Sequence, residues 1–270
     1  MSSSSTPIPQ ETSTKSGRQI KYLSTLEAYD QWASVYDSDF NPLQALDDEE
    51  VISLIPQVLS VFDSPNDRPL RILDLGCGTG RNTLKLLSIP GAEIHGADLS
   101  PKMLDVAKER CNQAWNDLPQ DQRASFLTFH VHDVLSPNKA LYQLQFDIII
   151  STLVVEHLPL SNFFTEVNRL LVPGGVLLVT NMHSEMGAKS QAGFNDPLTG
   201  EKIRPVSYNH SVEELREESS RNGYVVVGEG IRERGVDEHG EMVRRLGPRA
   251  VKWVGCKMWM GGIFRRVEVS

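Results

Sequence analysis

The chain has 270 residues, 40% hydrophobic and 23% charged, enough to bury the core of one domain of α/β size. Asp plus Glu, at 35, outnumbers Lys plus Arg, at 27, and the net charge of -8 argues against a nucleic-acid partner, whose phosphates call for a basic face. Cys77, Cys111 and Cys256 are widely spaced and odd in number, so neither a disulfide framework nor a zinc spacing follows, no apolar run is long enough to span a bilayer, and a reducing, cytoplasmic setting is expected.

Residues 1–20 are rich in Ser, Thr and Pro and read as a disordered tail without the apolar core of a signal peptide. From 21 onward the chain reads as one domain, opened by helices over 21–62. Leu26, Tyr29, Ala33 and Tyr36 share one helical stripe with Trp32 beside it, Asn41-Pro42 ends that segment, and a second helix is expected from Asp47 to Phe62. A turn over Asp63–Pro69 leads into a strand at 71–75 and a helix at about 79–88, then a strand at 93–98. Ser100 is an N-cap followed by Pro101 at the first helical position, opening a helix to about Asn116. Strands follow at about 125–132 and at Phe146–Ser151, the latter an Ile-rich run of the kind buried on both faces. A helix over Leu160–Leu171 and a tight Pro173-Gly174-Gly175 turn lead to a strand at 176–181. Residues 183–209 form a long polar stretch expected to lack regular structure and to face the substrate. A helix at 211–221, a strand at 224–230 and a last strand over Trp253–Val269 complete the chain. Arg244, Arg245, Arg249 and Lys252 read as a solvated helix face. The alternation of strands and helices predicts a doubly wound, mainly parallel α/β sheet of seven strands, with ligands at the carboxyl ends of the strands.

One segment carries most of the functional signal. Ile72, Leu73 and Leu75 form a buried strand that ends in three alternate glycines, Gly76, Gly78 and Gly80, before a helix. Glycines there let backbone approach a ligand, and the free N–H groups of a helix start face an anionic group. Asp98 closes the next strand, near the spacing at which a carboxylate meets a ribose diol. A nicotinamide-binding fingerprint needs a glycine where this chain has Arg81, which counts against a dehydrogenase.

Taken with His132-Asp133-Val134 and Pro173-Gly174-Gly175, the run Asp74-Leu75-Gly76-Cys77-Gly78-Thr79-Gly80 and Asp98 resembles the class I S-adenosylmethionine-dependent methyltransferases, over about Tyr22 to Thr180. The resemblance implies a Rossmann-like fold and S-adenosylmethionine as cofactor. Gly76, Gly78 and Gly80 would line its methionine part, with Asp74 facing the ammonium through water. Asp98, with Leu99 beside it, would hold the ribose; Asp133 would accept from the adenine amino group, with the Val134 N–H nearby; Ser151 and Leu153 would lie near the sulfonium. Tyr29-Asp30-Gln31-Trp32-Ala33-Ser34-Val35-Tyr36-Asp37 is similar to the lid helix of small-molecule members, so Tyr29 and Tyr36 would close over the cofactor.

Ser207-Tyr208-Asn209-His210, Gly223-Tyr224, Lys252-Trp253-Val254-Gly255, Trp259 and Arg265 are similar to fungal natural-product methyltransferases that act on sulfur or nitrogen of epidithiodioxopiperazine toxins, the gliotoxin thiomethyltransferase among them. That resemblance implies a small, apolar dithiol as acceptor, with other N- or O-methylation of a secondary metabolite as the alternative and a cofactor-binding regulator without turnover as a third. No catalytic base is evident; His157 and His183 are candidates, and no metal-ligand spacing is present. A thiol of pKa about 8.5 is already partly ionised at neutral pH, whereas a phenol near 10 is not, so the lack of an evident base fits sulfur. The acceptor chamber is expected between the N-terminal helices, residues 183–209 and the region from Trp259 to Phe264, in a monomer.

Overall fold

The computed structural model describes residues 6–10, 19–38, 40–62, 68–237 and 241–267. In chain order its elements are β1 (Ile20–Tyr22), α1 (Thr25–Trp32), α2 (Pro42–Val61), β2 (Arg71–Leu75), α3 (Thr83–Leu86), β3 (Glu93–Asp98), α4 (Pro101–Asp117), β4 (Phe126–Val131) and β5 (Phe146–Thr152). After them come α5 (Leu160–Leu170), β6 (Leu171–Met182), α6 (Ser184–Gly187), β7 (Phe194–Asn195), β8 (Lys202–Arg204), α7 (Val212–Arg221), β9 (Tyr224–Gly235), α8 (Glu241–Leu246) and β10 (Lys257–Arg266). The main sheet has seven strands in the order β4-β3-β2-β5-β6-β10-β9. The first five run parallel, and β10 is antiparallel to both β6 and β9. The expected doubly wound α/β class is the one observed.

Winding starts at β2 and runs outward through β3 and β4; the chain then returns to β5 on the other side of β2. The ends of β2 and β5 therefore flank the reversal point, where crossovers leave opposite faces of the sheet and a crevice opens. β5 is buried along its whole length, as its unbroken Ile run requires. The core lies on both faces, with Ile72, Ile148, Ile150 and Leu178 on one side and Leu73, Ile149, Leu177 and Phe164 on the other.

Several local expectations are corrected. Asn41-Pro42 starts a helix: the Asn41 side chain accepts from the Leu43 N–H (3.0 Å) and Pro42 takes the first helical position, so α2 begins at 42 rather than 47. The helix expected at 79–88 shrinks to α3, because residues 79–82 remain in turns. Pro173-Gly174-Gly175 lies within β6 as a bulge: pairing with β5 jumps from Leu171 to Val176 across Gly174 at φ 75°. β9 runs on to Gly235, and the last strand starts at Lys257, preceded by a 3-10 turn over Pro248–Trp253.

Residues 183–209 are not without structure either. They contain α6, β7 and β8, and β8 pairs in parallel with β1, forming a small sheet in the order β1-β8-β7. Trp32 of α1 stacks on Phe194 of β7 (centroids 5.0 Å apart, planes at 16°), so this segment carries the lid. The tail expectation is corrected where it can be read: Ile20 is buried in β1, and the Ile8 N–H donates to the Ser207 carbonyl at 2.8 Å. The rest of that expectation, over 1–5 and 11–18, lies outside the described residues, as do 63–67 of the expected turn and 268–269 of the last strand.

Candidate active site

α1 sits across the strand ends and is tied down by charge. Ser24 and Glu27 form a capping box at its start. Asp30 accepts from the Ser100 hydroxyl at 2.5 Å, at the N-cap of α4. Asp37 accepts from the Thr79 hydroxyl at 3.0 Å and pairs with Arg110 at 2.6 Å. The two acids thus bolt the lid to the glycine loop and to α4. Beneath α2, the fully buried Asp47 accepts from the Trp259 indole (2.8 Å) and the Thr180 hydroxyl (2.6 Å) and pairs with Arg81 (2.6 Å). Arg81, the residue that departs from a dinucleotide fingerprint, is therefore an anchor for the N-terminal helices.

Under this lid lie two adjoining chambers. The first, about 700 Å³ including its open mouth, is walled at the sheet end by Leu75, Gly76, Gly78, Asp98 and Leu99. His132, Asp133 and Val134 close one end of it, and Thr152 to Val154 with His157 and Leu158 close the other. The second, of about 720 Å³, opens on the far side. Tyr29, Tyr36 and Leu153 belong to both walls and mark where the chambers meet. Leu153 sits there at φ 56°, a backbone conformation that costs a non-glycine residue about 1–2 kcal/mol and is held by its N–H bond to the Thr180 carbonyl (2.9 Å).

The three glycines serve different ends. Gly78 has φ 54° and nothing within 4 Å of where a Cβ would stand, so it presents bare backbone to the first chamber. A Cβ on Gly76 would fall 2.3 Å from Val154 Cγ2. Gly80 is not on the chamber wall: its missing Cβ leaves room for Cys111 Sγ (2.7 Å) and Ala107 of α4. Asp98 accepts from the Gly78 N–H and the Ser100 N–H, both at 2.8 Å, one on each oxygen, which leaves lone pairs on both oxygens. Burial pushes its carboxyl up to about 6. Asp133 accepts from the Leu135 N–H (2.8 Å), bending the chain so that it and Val134 face the chamber.

Asp74 lies behind the wall, fully buried. Its Oδ2 accepts from the Thr83 hydroxyl (2.6 Å), its Oδ1 has no partner, and burial raises it to about 6. Ser151 is also off the wall: its hydroxyl donates to the Leu75 carbonyl at 2.9 Å and joins β5 to β2. His183 is turned away. Its Nδ1 accepts from the Glu185 N–H as the cap of α6, and its Nε2 pairs with Glu233 at 2.8 Å. His157 stands on the first chamber, but both nitrogens are engaged. Nδ1 must donate to the Val206 carbonyl (2.8 Å), so Nε2 accepts from the Tyr29 hydroxyl (2.7 Å), and burial lowers the ring to about 4.

The second chamber is bounded by Trp32, the start of α2, Met182, Met186, residues 190–193 and Trp253. The expected wall from Trp259 to Phe264 is instead interior strand, since β10 lies between β6 and β9; the 3-10 turn supplies Arg249, Lys252 and Trp253 in its place. Sequence reasoning also passed over Glu156, which lines this chamber, and His132, which lines the first. The adjacency of Glu156 to His157 after the fourth parallel-type strand was the signal available for it.

The first chamber fits S-adenosylmethionine. The buried Asp74 Oδ1 behind its wall has no partner, and an ammonium would supply a donor through water; the spare lone pairs of Asp98 suit a diol; and Gly78 admits close contact. Among the described residues no cluster of His, Cys, Asp or Glu could hold a metal ion, and no helix is long and apolar enough to cross a membrane.

Residues 73–179 match the family model described as "Methyltransferase domain". An uncharacterized methyltransferase of Emericella nidulans is 45% identical over 266 residues, covering 91% of this chain and 92% of the relative. A ubiquinone biosynthesis O-methyltransferase of Cereibacter sphaeroides is 31% identical over 155 residues, 53% of this chain and 56% of that one. Among solved structures, the magnesium protoporphyrin IX methyltransferase of Synechocystis with SAH bound superposes with a TM-score of 0.55 at 16% identity, covering 89% of this chain and 94% of that one. A chain solved in work on the conversion of a disulfide bond into a thioacetal group during echinomycin biosynthesis gives a TM-score of 0.52 at 23% identity, covering 81% and 82%. The latter two are likenesses of fold. With its motif, its sheet and these relatives, the chain belongs to the class I S-adenosylmethionine-dependent methyltransferases, and S-adenosylmethionine is its cofactor.

Proposed function

We propose that this enzyme methylates a small molecule held in the second chamber, and that the accepting atom is a thiol sulfur. The observation that carries the reading is the shared wall: Tyr29, Tyr36 and Leu153 border both chambers, so a molecule in the second is delivered to the first under one lid. Trp32, Leu153, Met182, Met186 and Trp253 give the second chamber an apolar side, and Asn41, Gln44, Glu156, Gln191, Lys202 and Arg249 give it a polar one, which suits a compact acceptor with both apolar and polar groups. The -8 net charge disfavours a nucleic-acid substrate.

Bound S-adenosylmethionine supplies an electrophilic methyl carbon on a sulfonium. The protein's share is to orient the two reactants, which is worth about 7–11 kcal/mol, and to exclude water beneath α1. Tyr29 helps by position: its hydroxyl is fixed on His157, and burial holds it un-ionised far above the usual tyrosine value. A thiol is the acceptor that asks least of the protein, since its pKa of about 8.5 lies near the working pH. A reduced epidithiodioxopiperazine is the dithiol class this reading favours.

O-Methylation is the second reading. It draws on the O-methyltransferase named among the relatives and on the buried carboxyl of Glu156, a group able to take a hydroxyl proton. The deciding experiment mixes enzyme and cofactor with a panel of dithiols, monothiols, amines and phenols and reads products by mass spectrometry. A gain of about 14 mass units per methyl, a CH3 in place of the lost hydrogen, on thiols is the expected result; gain confined to phenols, alcohols or amines overturns the sulfur assignment.

A further inference from the structure

Two residues that line the acceptor chamber each carry a buried polar atom with no hydrogen-bond partner among the described residues: Trp32 Nε1 and Glu156 Oε2. Each such orphan is costly to the fold, which tolerates it where a ligand completes the bond. One is a donor and the other a carboxyl oxygen, so the missing ligand offers an acceptor and a donor.

Glu156 is well held for such a task. It sits on the 3-10 turn that follows β5; its N–H donates to the Asn181 side chain (3.0 Å), and its carbonyl accepts from the Tyr208 N–H (2.7 Å). Its Oε1 lies 3.7 Å from His157 Nε2, too far for a hydrogen bond, and that nitrogen is already taken by Tyr29. Tyr29 and Tyr36, on the wall common to both chambers, feel its charge, and so do they that of Asp98 across the first chamber. Lys202, Arg249 and Lys252 stand elsewhere on the acceptor chamber.

We infer that Glu156 is the catalytic residue that takes the proton from the accepting atom, while Trp32 Nε1–H holds an acceptor group on the same molecule. The inference rests on the proposed transfer to a small molecule in this chamber. The acceptor's S–H bond breaks with its proton going to a carboxylate oxygen of Glu156. The sulfur lone pair forms the new bond to the methyl carbon, and the pair of the bond that breaks stays with the cofactor's sulfur. The proton leaves Glu156 to solvent when the chamber opens. Burial places the Glu156 carboxyl at about 8, close to an ordinary thiol at about 8.5, so the transfer is nearly balanced. His157, lowered to about 4 and with both nitrogens bonded, is unsuited to the step.

The test is Glu156→Gln, which keeps the shape, assayed under single turnover with the thiols that the wild type accepts, ordered by their acidity. Expected is a loss of about 10²–10⁴-fold with acceptors un-ionised at the assay pH. Acceptors already ionised in solution should keep near wild-type rates, with cofactor affinity by calorimetry retained, and with the melting temperature retained at pH 6.5, where Glu156 still holds its proton. In the absence of cofactor, the ultraviolet thiolate absorbance of a bound alkanethiol should rise with wild type and not with the variant. An equal loss across all acceptors, or an undiminished rate with the un-ionised ones, overturns the inference; Glu156→Asp supplies the same comparison should the glutamine variant fail to fold. If the wild type methylates no thiol, the proposed acceptor falls first, and that result is separate from any effect of Glu156.

Discussion

The two chambers are built in opposite ways. The cofactor side rests on strand ends that are close in sequence and fixed by backbone bonds: Asp98 holds the Gly78 and Ser100 N–H groups, and Asp133 holds that of Leu135. The acceptor side gathers residues 41–44, 182–193 and 249–253, and leaves Trp32 Nε1 and Glu156 Oε2 unpaired. Each side leaves a buried polar atom unpaired, Asp74 Oδ1 on one and Trp32 Nε1 and Glu156 Oε2 on the other, but only the first side is held by a run of side chain to backbone bonds along the strand ends. Perturbing each side should therefore give different signatures: lost cofactor affinity on one, altered acceptor use or pH response on the other.

The largest effect is expected from Asp98→Ala. It removes the proposed sugar ligand and strands two backbone N–H groups at about 1–3 kcal/mol each. Cofactor Kd by calorimetry should rise about 100-fold or more, at roughly 1.4 kcal/mol per tenfold. Wild-type affinity in this variant would break the assignment of the first chamber.

Next comes the pH response of the cofactor-free protein. Glu156 titrates at about 8 when folded and at about 4.5 when unfolded, so between these values the folded chain holds a proton that the unfolded chain has lost. The unfolded state then binds fewer protons, and stability falls as pH rises toward 8. Near pH 6.5 the histidines that burial lowers act in the opposite sense, and Asp74 and Asp98, at about 6, have mostly ionised by pH 7, so the Glu156 contribution is read above pH 7 as the difference between wild type and Glu156→Gln. Relative to Glu156→Gln, the wild type should lose about 1 kcal/mol from pH 7 to 8, read as a melting temperature lower by a few degrees. Glu156→Gln should flatten that slope, and a persistent slope in the variant would place its cause elsewhere.

A smaller contrast separates two glycines of one motif. Gly78→Ala adds a methyl facing open space at φ 54°, so it should weaken cofactor binding, with a strain cost of about 1–2 kcal/mol. Gly80→Ala, at φ 82°, also drives a Cβ against Cys111 Sγ and Ala107, so its effect should appear chiefly in the melting temperature. Equal effects on both readouts in both variants would erase the distinction. Smallest of all, Met186→Ala on the acceptor wall should raise the acceptor KM several-fold, by about 1 kcal/mol of lost contact, with cofactor Kd unchanged.

Much of the first chamber was legible because its residues lie within short stretches whose spacing follows from the strand-turn geometry. Gly76, Gly78, Asp98, Leu99, Asp133, Val134 and Leu153 all reach its wall, and Tyr29 and Tyr36 cover it. Ser151 and Gly80 misled because a one-residue step along a strand or loop turns a side chain from cavity to core, and periodicity alone does not say which. His183 misled for another reason: a histidine after a strand end can serve as a helix cap as readily as a base.

The sequence alone determined the doubly wound sheet and the glycine turn at the end of β2, because strand burial and glycine-permitted backbone are written in local patterns. Tertiary structure decided the rest. That Asp47, Arg81, Thr180 and Trp259 meet beneath α2, that residues 183–209 pair with β1 to carry the lid, and that Glu156 ends buried without a partner beside the second chamber are all outcomes of long-range packing. A carboxyl's role depends on how much water and which charges surround it, and no spacing along the chain encodes that.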